Sequence, residues 1–527
     1  MLRAGTSIAS RLSKRYGVVS DILYVLRKKS AIAGIAIILF FVVIGGLADV
    51  IATNDPKAQR LADEFAVPEW VADPATPRNI EKVFESFEVV KSVADSGVSV
   101  EVISLSGGVK IRIGGVGSAN IVIRSPDYLY YPYEPARSML ITSAIEVHNT
   151  SHTMPWYNIQ LIIENVDLTS RKAVYELRMP DGSVKPIPRG IYVVSDLAKE
   201  RIGWIYPLIN TRYVPKRTIS IMLPNPMVNY IQPYFDESLR GIIEAVSATQ
   251  DILLERDTRL TAVFNITYYC NPQDLMMRCS PGSGVEIVLE PVKVRIFGRA
   301  FGILGTDFMG RDVWAQFVYG SRSAIVLGLS VASVIILIGL VIGLIAGYVY
   351  GSLLDNIITF IIDVTYFLPL LPIIMAIGMV YGRSLFIIYA TLIALAWPGT
   401  ARVIRHWTVA MKEAPFIEAA RALGAGTARI LFRHVAPQLI PYLVYSIVMS
   451  VPGVVMFEAG IQLIGFGDPT APTWGRMIGE AYNQGGFLQN AWWWFMPPII
   501  GLIAISIGFI LIGMALDEIV NPRLRRR

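Results

Sequence analysis

The sequence predicts an α-helical polytopic membrane protein with six transmembrane helices and a mainly β domain inserted after the first of them. Three observations carry this prediction. Of 527 residues, 53% are hydrophobic and only 17% charged, against about 25% charged in a typical soluble protein. Apolar runs long enough to span a bilayer occur near residues 31–51 and again from residue 324 onward. Between them, residues 53–300 hold no such run, which explains why the mean hydropathy is a modest +0.50. The composition argues against a disordered chain, a nucleic-acid binder and an all-soluble enzyme. Two cysteines cannot build a disulfide scaffold or a cysteine-rich metal site.

The first segment, residues 1–52, contains the run Ala31 to Ile51, which opens AIAGIAIILFFVVIGG. Its length matches the roughly 20 residues that cross a hydrocarbon core of about 30 Å. The basic flank Arg27-Lys28-Lys29 resembles the start of a signal peptide. A cleaved signal, however, has a shorter apolar stretch and an Ala-x-Ala-like site. We read an uncleaved helix.

Residues 53–300 alternate with period 2 instead, as in Val109-Lys110-Ile111-Arg112-Ile113 and Val285-Glu286-Ile287-Val288-Leu289. Gly107-Gly108 and Asp181-Gly182 read as hairpin turns. One helical stretch, about Glu237 to Leu253, interrupts the strands. Apolar residues are too frequent here for a disordered linker.

Residues 301–527 return to lipid. The candidate spans are Ala324–Tyr348, Asn356–Val380, Leu385–Pro398, Leu439–Ile464 and Trp493–Leu516, the third being short. Pro369, Pro372 and Pro452 lie inside them, which membrane helices tolerate where neighbours satisfy the freed backbone. Charge sets the orientation. Basic residues concentrate in the first 30 residues, in the segment Arg402 to Arg433 and at Arg523 to Arg527. The short loops of opposite parity offer only Arg383 and Arg476. The positive-inside rule then makes both termini and the basic segment cytoplasmic and puts the β domain outside. The net charge of +6 is thereby explained by topology and anionic lipid, with no nucleic acid required.

The basic segment, about residues 401–437, carries the most information. Pro415 suits the first turn of a helix and Gly424 or Gly426 its end. Phe416, Ala420 and Leu423 fall at i, i+4 and i+7 and make a short apolar stripe. Thr427 can cap a second helix that Pro437 stops. On pattern alone, the first helix either lies on the lipid surface or docks on a partner.

Glu418-Ala419-Ala420, with Gly424 six residues after the Glu and Pro437 thirteen further on, resembles the EAA loop of ABC-transporter importer permeases. Arg421 continues that loop. Gly305-Thr306-Asp307-Phe308-Met309-Gly310-Arg311-Asp312 is similar to the GTDxxGRD segment of the oligopeptide/dipeptide class. Asp363 before Leu368-Pro369, Glu458-Ala459 before Gly465-Phe466-Gly467, Pro472-Thr473-Trp474-Gly475 and the ending Asn521-Pro522-Arg523 resemble the same class, in family order. Three features depart from it. Ala436 replaces the usual Leu, Glu458-Ala459-Gly460 replaces a run of alanines, and residues 53–300 stand where the family usually has a short external loop.

The resemblance implies a type I ABC importer permease fold. It implies a coupling helix around Glu418 that docks into a groove on an ATP-binding subunit, one of two separate partner subunits where ATP and Mg are held; this chain binds no cofactor itself. The other partners are a homologous permease, which completes the pore, and an extracellular solute-binding protein. The solutes are peptides, or oligosaccharides and other small molecules that the same class carries. The alternative is a polytopic receptor or surface-interaction protein acting through the β domain, which has no reason to carry a docking helix.

Absences agree with a non-catalytic transport subunit. No Gly-x-x-x-x-Gly-Lys-Ser/Thr phosphate loop occurs. His148 and His152 lack an acidic companion for a metal site, and His406 and His434 read as surface groups of the basic loop. Asp363 and Glu458 are the ionisable groups at membrane depth, where a charge costs roughly 2.5–3.5 kcal/mol on insertion scales. They either face the translocation path or gate, or make interhelical hydrogen bonds. Gly305 to Asp312 is expected to run along the membrane as an amphipathic element at the pore mouth. Cys270 and Cys279 enclose eight residues and are expected to form an external disulfide. Asn149-Thr150-Ser151 and Asn265-Ile266-Thr267 are glycosylation sequons, which would suit an archaeal cell surface.

Overall fold

The computed structural model describes residues 28–57, 60–136, 138–149, 155–172, 174–178, 184–188, 191–196, 213–223, 255–273 and 279–520. The chain divides into two compact units, Met1–Gln59 with Gly302–Arg527, and Arg60–Phe301. The expected helix 237–253, the turn at Asp181-Gly182, His152 and the Asn521-Pro522-Arg523 ending lie outside the described residues.

The first unit is helical. Its elements are α1 (Lys29–Gly46), α2 (Val313–Tyr348), α3 (Leu353–Phe367), α4 (Leu370–Tyr381), α5 (Leu385–Lys412), α6 (Pro415–Ala422), α7 (Thr427–Leu463), α8 (Trp474–Asn483) and α9 (Trp492–Val520). Among the described residues, α1, α2, α5, α7 and α9 are each long and apolar enough to cross a membrane. The expected straight span 356–380 is instead α3 and α4, bent by 79° at their junction. Six spans are therefore reached only if that pair is one. The cause is Pro369: its ring disfavours helical backbone at the preceding residue, and Leu368 is extended, at φ −65° and ψ 133°. The short span expected to end at Pro398 does not end there. Pro398 occupies the first turn of a new helical segment, where no N–H is needed, so α5 runs on to Lys412.

Close packing in this unit rests on glycine. A Cβ at Gly34 of α1 would lie 2.6 Å from the Gly508 carbonyl of α9, and one at Gly45 2.8 Å from Arg322 Cα of α2. Lys28 and Glu518 pair at 2.8 Å. Trp474, fully buried, donates its Nε1–H to the Phe317 carbonyl at 2.8 Å and fills space left by Gly320 and Gly501.

The second unit is mainly β. Its strands are β1 (Ile80–Phe84), β2 (Glu88–Ala94), β3 (Val98–Leu105), β4 (Gly108–Gly115), β5 (Gly117–Arg124), β6 (Leu129–Tyr131), β7 (Ser138–Asn149) and β8 (Trp156–Asn165). They continue as β9 (Val174–Arg178), β10 (Val184–Pro188), β11 (Ile191–Asp196), β12 (Tyr213–Leu223), β13 (Thr258–Cys270), β14 (Gly284–Leu289) and β15 (Val292–Phe297). One large sheet runs β1-β15-β7-β14-β4-β3 with β12 also on β7, the other large sheet runs β11-β8-β13-β5-β2 with β6 on β13, and β9 and β10 pair as a two-stranded sheet. A single apolar core draws residues from both sheets, among them Ile111, Ile287 and Ile141 of the first and Ile121, Ile159 and Phe264 of the second. The two alternating runs recognised in the sequence are neighbours: β4 and β14 pair antiparallel, Arg112 opposite Glu286. Val109, Ile111 and Ile113 of β4 and Val285, Ile287 and Leu289 of β14 are buried, while Glu286 accepts from Lys110 Nζ and Arg112 Nε, each at 2.8 Å, on the outer face. These two hydrogen bonds hold the Glu286 carboxyl below its ordinary range. Gly107-Gly108 is the expected turn, between β3 and β4, and Gly108 takes a φ of +118° that favours glycine.

Cys270 and Cys279 are joined as a disulfide, with Cα atoms 5.7 Å apart. His148 lies on β7, 3.2 Å from Glu146. Asn265 lies mid-strand in β13 and donates to Gln160 Oε1 at 3.2 Å. Asn149 ends β7, its side chain outside the described set.

Candidate functional site

The loop that leaves α5 turns through Glu413 and Ala414 into α6. Pro415 opens α6, and Glu418 stands in its first turn, where a negative charge complements the helix dipole. At the far end the Ala425 N–H reaches the Ala420 carbonyl (3.0 Å) and the Gly424 N–H the Arg421 carbonyl (2.9 Å). That pair of bonds is the Schellman motif, which places Gly424 at the left-handed position, φ +80°. A Cβ there would meet nothing. The turn therefore needs glycine for its backbone angle rather than for space within this chain.

The apolar stripe expected on α6 is different in the structure. Ile417 and Ala420 are its buried residues, Ile417 completely, while Phe416 is 45% and Leu423 88% exposed. The helix ends at Ala422, so Leu423 falls beyond its last turn and leaves the stripe. Ile417 joins a core with Ile404 of α5, Ile336, Leu340 and Leu344 of α2, and Ile430, Leu431, Val435 and Leu439 of α7. Pro415, Phe416, Glu418, Ala419, Arg421, Leu423 and Gly424 all face outward. Two further expectations need correction. Thr427 is the first residue of its helix rather than the cap; Gly426 precedes it and offers no side chain. Pro437 does not stop that helix, because a π-type turn over Leu431–Val435 absorbs the missing N–H and α7 continues through it. Pro437 is exposed.

Asp363 and Glu458 occupy different settings. Asp363, on α3, accepts from Arg402 Nη2 of α5 at 2.6 Å, with both side chains between a third and a half exposed. The Arg402 guanidinium also lies over the Tyr366 ring, 4.4 Å from its centre. Glu458, on α7, is buried and accepts from Thr473 Oγ1 at 2.8 Å and Gln462 Nε2 at 3.1 Å. Thr473 in turn caps α8 by accepting from the Arg476 N–H. Gly475 allows this approach, since a Cβ on it would lie 2.6 Å from Ala459 Cα and 2.8 Å from Glu458 Oε2.

Gly305 to Asp312 is a tight turn rather than an extended amphipathic element. Thr306 and Asp312 bridge across it, and Gly305 and Gly310 take φ of +63° and +72°. Asp307 organises the knot. Its Oδ1 accepts from the Met309 and Arg311 N–H groups, and its Oδ2 from Arg311 Nε (2.6 Å) and Gln316 Nε2 (2.9 Å). Arg311 reaches on to Glu480 Oε2 at 2.6 Å, and Arg476 donates to Gln316 Oε1 at 3.1 Å. Asp312 caps α2 at the Trp314 and Ala315 N–H groups and takes a bond from Asn54. Burial raises the Glu480 and Asp312 carboxyls and lowers the Arg476 guanidinium. Gln316 and Glu480 carry no signature of their own in the sequence; only the Asp307 and Arg311 ends of this network were readable.

Among the described residues no cluster of His, Cys, Asp or Glu could hold a metal ion.

Residues 339–526 match the family described as "Binding-protein-dependent transport system inner membrane component". The chain is 32% identical over 246 residues, 46% of its length, to the "Probable peptide ABC transporter permease protein y4tQ" of Sinorhizobium fredii, covering 83% of that protein. It is 30% identical over 225 residues to the "Oligopeptide transport system permease protein OppC" of Bacillus subtilis, with 42% of this chain and 72% of that protein covered. Against the "Dipeptide transport system permease protein DppC" of the same organism it is 29% identical, with 42% of this chain and 69% of that protein covered. The apolar spans, the loop around Glu418 and these relatives agree, and the chain belongs to the ABC-transporter permease family of binding-protein-dependent transport systems.

Proposed function

We propose that this chain is a permease subunit of an ATP-driven importer that moves peptides across the cell membrane by alternating access. The observation that carries this reading is the construction of α6: an eight-residue helix anchored from below by Ile417, with Phe416, Glu418 and Leu423 turned outward. An exposed apolar pair on a short, well-anchored helix is suited to a groove on another protein. In the proposed cycle that groove belongs to an ATP-binding subunit. Two such subunits hold ATP and Mg, close on each other, and move the loop around Glu418. A homologous permease completes the pore, and the solute arrives from a solute-binding protein.

The same reading makes both termini cytoplasmic, because the loop that carries Arg402 to Arg433 shares their side by the positive-inside rule. The β unit then lies outside, where its disulfide is stable, and has a docking or gating role toward the solute-binding protein. Peptide is the substrate class favoured by the names of the relatives. Oligosaccharides remain the second option.

The test is solute-stimulated ATP hydrolysis in reconstituted complexes carrying Glu418→Arg or Gly424→Glu. Both variants should insert normally and lose the stimulation. Native stimulation in both would remove the reading.

A further inference from the structure

The segment of α5 that leads to the docking loop is held on two sides by different chemistry. Toward α2 it meets a glycine seam. A Cβ at Gly339 would lie 2.6 Å from Thr400 Cβ, one at Gly343 2.6 Å from the Ala401 carbonyl, and one at Gly347 2.7 Å from the Arg405 carbonyl. Backbones this close interlock two helices tightly. Thr408, Ile404 and Ala401 are completely buried along this seam. Two residues then connect α5 to α6, and Ile404 and Ile417 share one core. Helix α5 and the docking loop are thus one mechanical piece.

Toward α3 the same segment presents two arginines one turn apart. Arg405 binds Asp355 with a two-pronged grip, Nε to Oδ1 and Nη2 to Oδ2, each at 2.8 Å. Arg402 binds Asp363 two turns further along α3. Each guanidinium also lies over a tyrosine ring, Arg402 over Tyr366 and Arg405 over Tyr350. Asp355 is further tied to the Gly351 N–H and Thr359 Oγ1. Apart from these pairs α3 is weakly attached, since Asp355 and Ile362 are its buried residues. The far end of α3 is the 79° elbow at Pro369 that leads into α4.

We propose that Arg402 and Arg405 are positioning residues: a clamp through which movement of the docking loop is carried along α5 to α3 and the Pro369 elbow. The functional half of this inference rests on the permease reading above. A planar, two-pronged guanidinium fixes direction as well as distance, which a lysine would not do. A helix with little apolar anchorage follows whatever holds its charges. The elbow is thereby steered from the cytoplasmic end without a continuous apolar interface.

The test uses the full chain in lipid nanodiscs. Spin labels go on Phe360→Cys of α3 and Glu413→Cys at the end of α5, both exposed positions; the native cysteines are bonded to each other. The unmodified clamp should give one narrow distance distribution. Asp355→Asn with Asp363→Asn should broaden it, and exchanging the charges of one pair, Asp363→Arg with Arg402→Asp, should narrow it relative to Asp363→Asn alone. The single Asp363→Asn, at the more exposed pair, serves if the double variant does not fold. In complexes with the ATP-binding subunits, the Asn variants should still copurify with them. Uptake per ATP hydrolysed should fall at least about fivefold, the lower end of typical coupling between sites. An unchanged distribution, or unchanged uptake per ATP, overturns the clamp. Failure of the unmodified chain to capture ATP-binding subunits would overturn the permease reading instead, and the label distances would still report on the clamp.

Discussion

Ile417 is the residue that anchors the proposed docking helix α6, and its removal has a calculable effect. Its side chain is completely buried among Ile404, Ile430, Leu431 and Val435, and α6 has only Ala420 as a second buried residue. Ile417→Ala leaves a cavity that an eight-residue helix cannot close by itself. Such truncations cost about 2–5 kcal/mol, a factor of roughly 30 to a few thousand in a local opening equilibrium. The helix has no other comparable anchor, so the loss should appear as local unfolding rather than global collapse. Leu423→Ala is the control: at 88% exposed it should change stability by less than about 0.5 kcal/mol. The assay is amide hydrogen exchange over residues 412–430 of the full chain in nanodiscs, with and without ATP-binding subunits. Ile417→Ala should speed exchange in the isolated chain; Leu423→Ala should matter only to capture of the partner. If Ile417→Ala leaves protection unchanged, or Leu423→Ala loosens the helix equally, the assignment of its two faces is wrong.

Two further outcomes concern stability. Arg311→Met strands a fully buried Asp307 and a mostly buried Glu480; breaking such a pair costs roughly 3–5 kcal/mol, here toward the lower end because Asp307 keeps its backbone donors and Gln316. Burial already raises the Glu480 carboxyl, so the folded state holds that proton above the unfolded pKa and stability is lost as pH rises through the folded value. Without Arg311 the carboxyl rises further, and thermal stability of the variant in detergent should recover as pH falls from 8 to 5; a deficit independent of pH would refute this. Replacing Cys270 and Cys279 together by Ser should lower the unfolding temperature of the β unit while keeping its fold. The closed loop is worth at most about 3 kcal/mol, and free thiols in a non-reducing peptide map of the native chain would refute the pairing.

The sequence was most informative where a local rule has one solution. Apolar runs located the spans, period-2 alternation located β4 and β14, and the spacing of Pro415 and Gly424 bounded α6. It was least informative where the outcome depends on what arrives from elsewhere. Pro369 reads as a tolerated proline inside one span, and the extended Leu368 makes it a break. Spacing points to Phe416, Ala420 and Leu423 as the apolar stripe of α6, but Ile417 faces the core that α2, α5 and α7 jointly provide. The spacing Gly339-x-x-x-Gly343-x-x-x-Gly347 was a readable signal for the α2–α5 seam and would have pointed to it. The acidic partners of Arg402 and Arg405 could not be read: attraction between charges 39 and 50 residues apart leaves no local pattern.

The β unit begins and ends at one place. Its first strand pairs with its last, and Val67 bridges to Ala300. This closure imposes a timetable on synthesis. Ser321 Oγ of α2 donates to the Phe41 carbonyl of α1, and Gly45 of α1 lies against Arg322 of α2. These contacts cannot form until α2 emerges, roughly 270 residues after Gly46, which at about 5–20 residues per second is some 15 to 50 seconds of translation. During that interval α1 is in the bilayer without its helical partners, and β1 waits for β15. The apolar composition of α1 therefore has a second use: it keeps the helix inserted and intact through the delay that the β unit imposes.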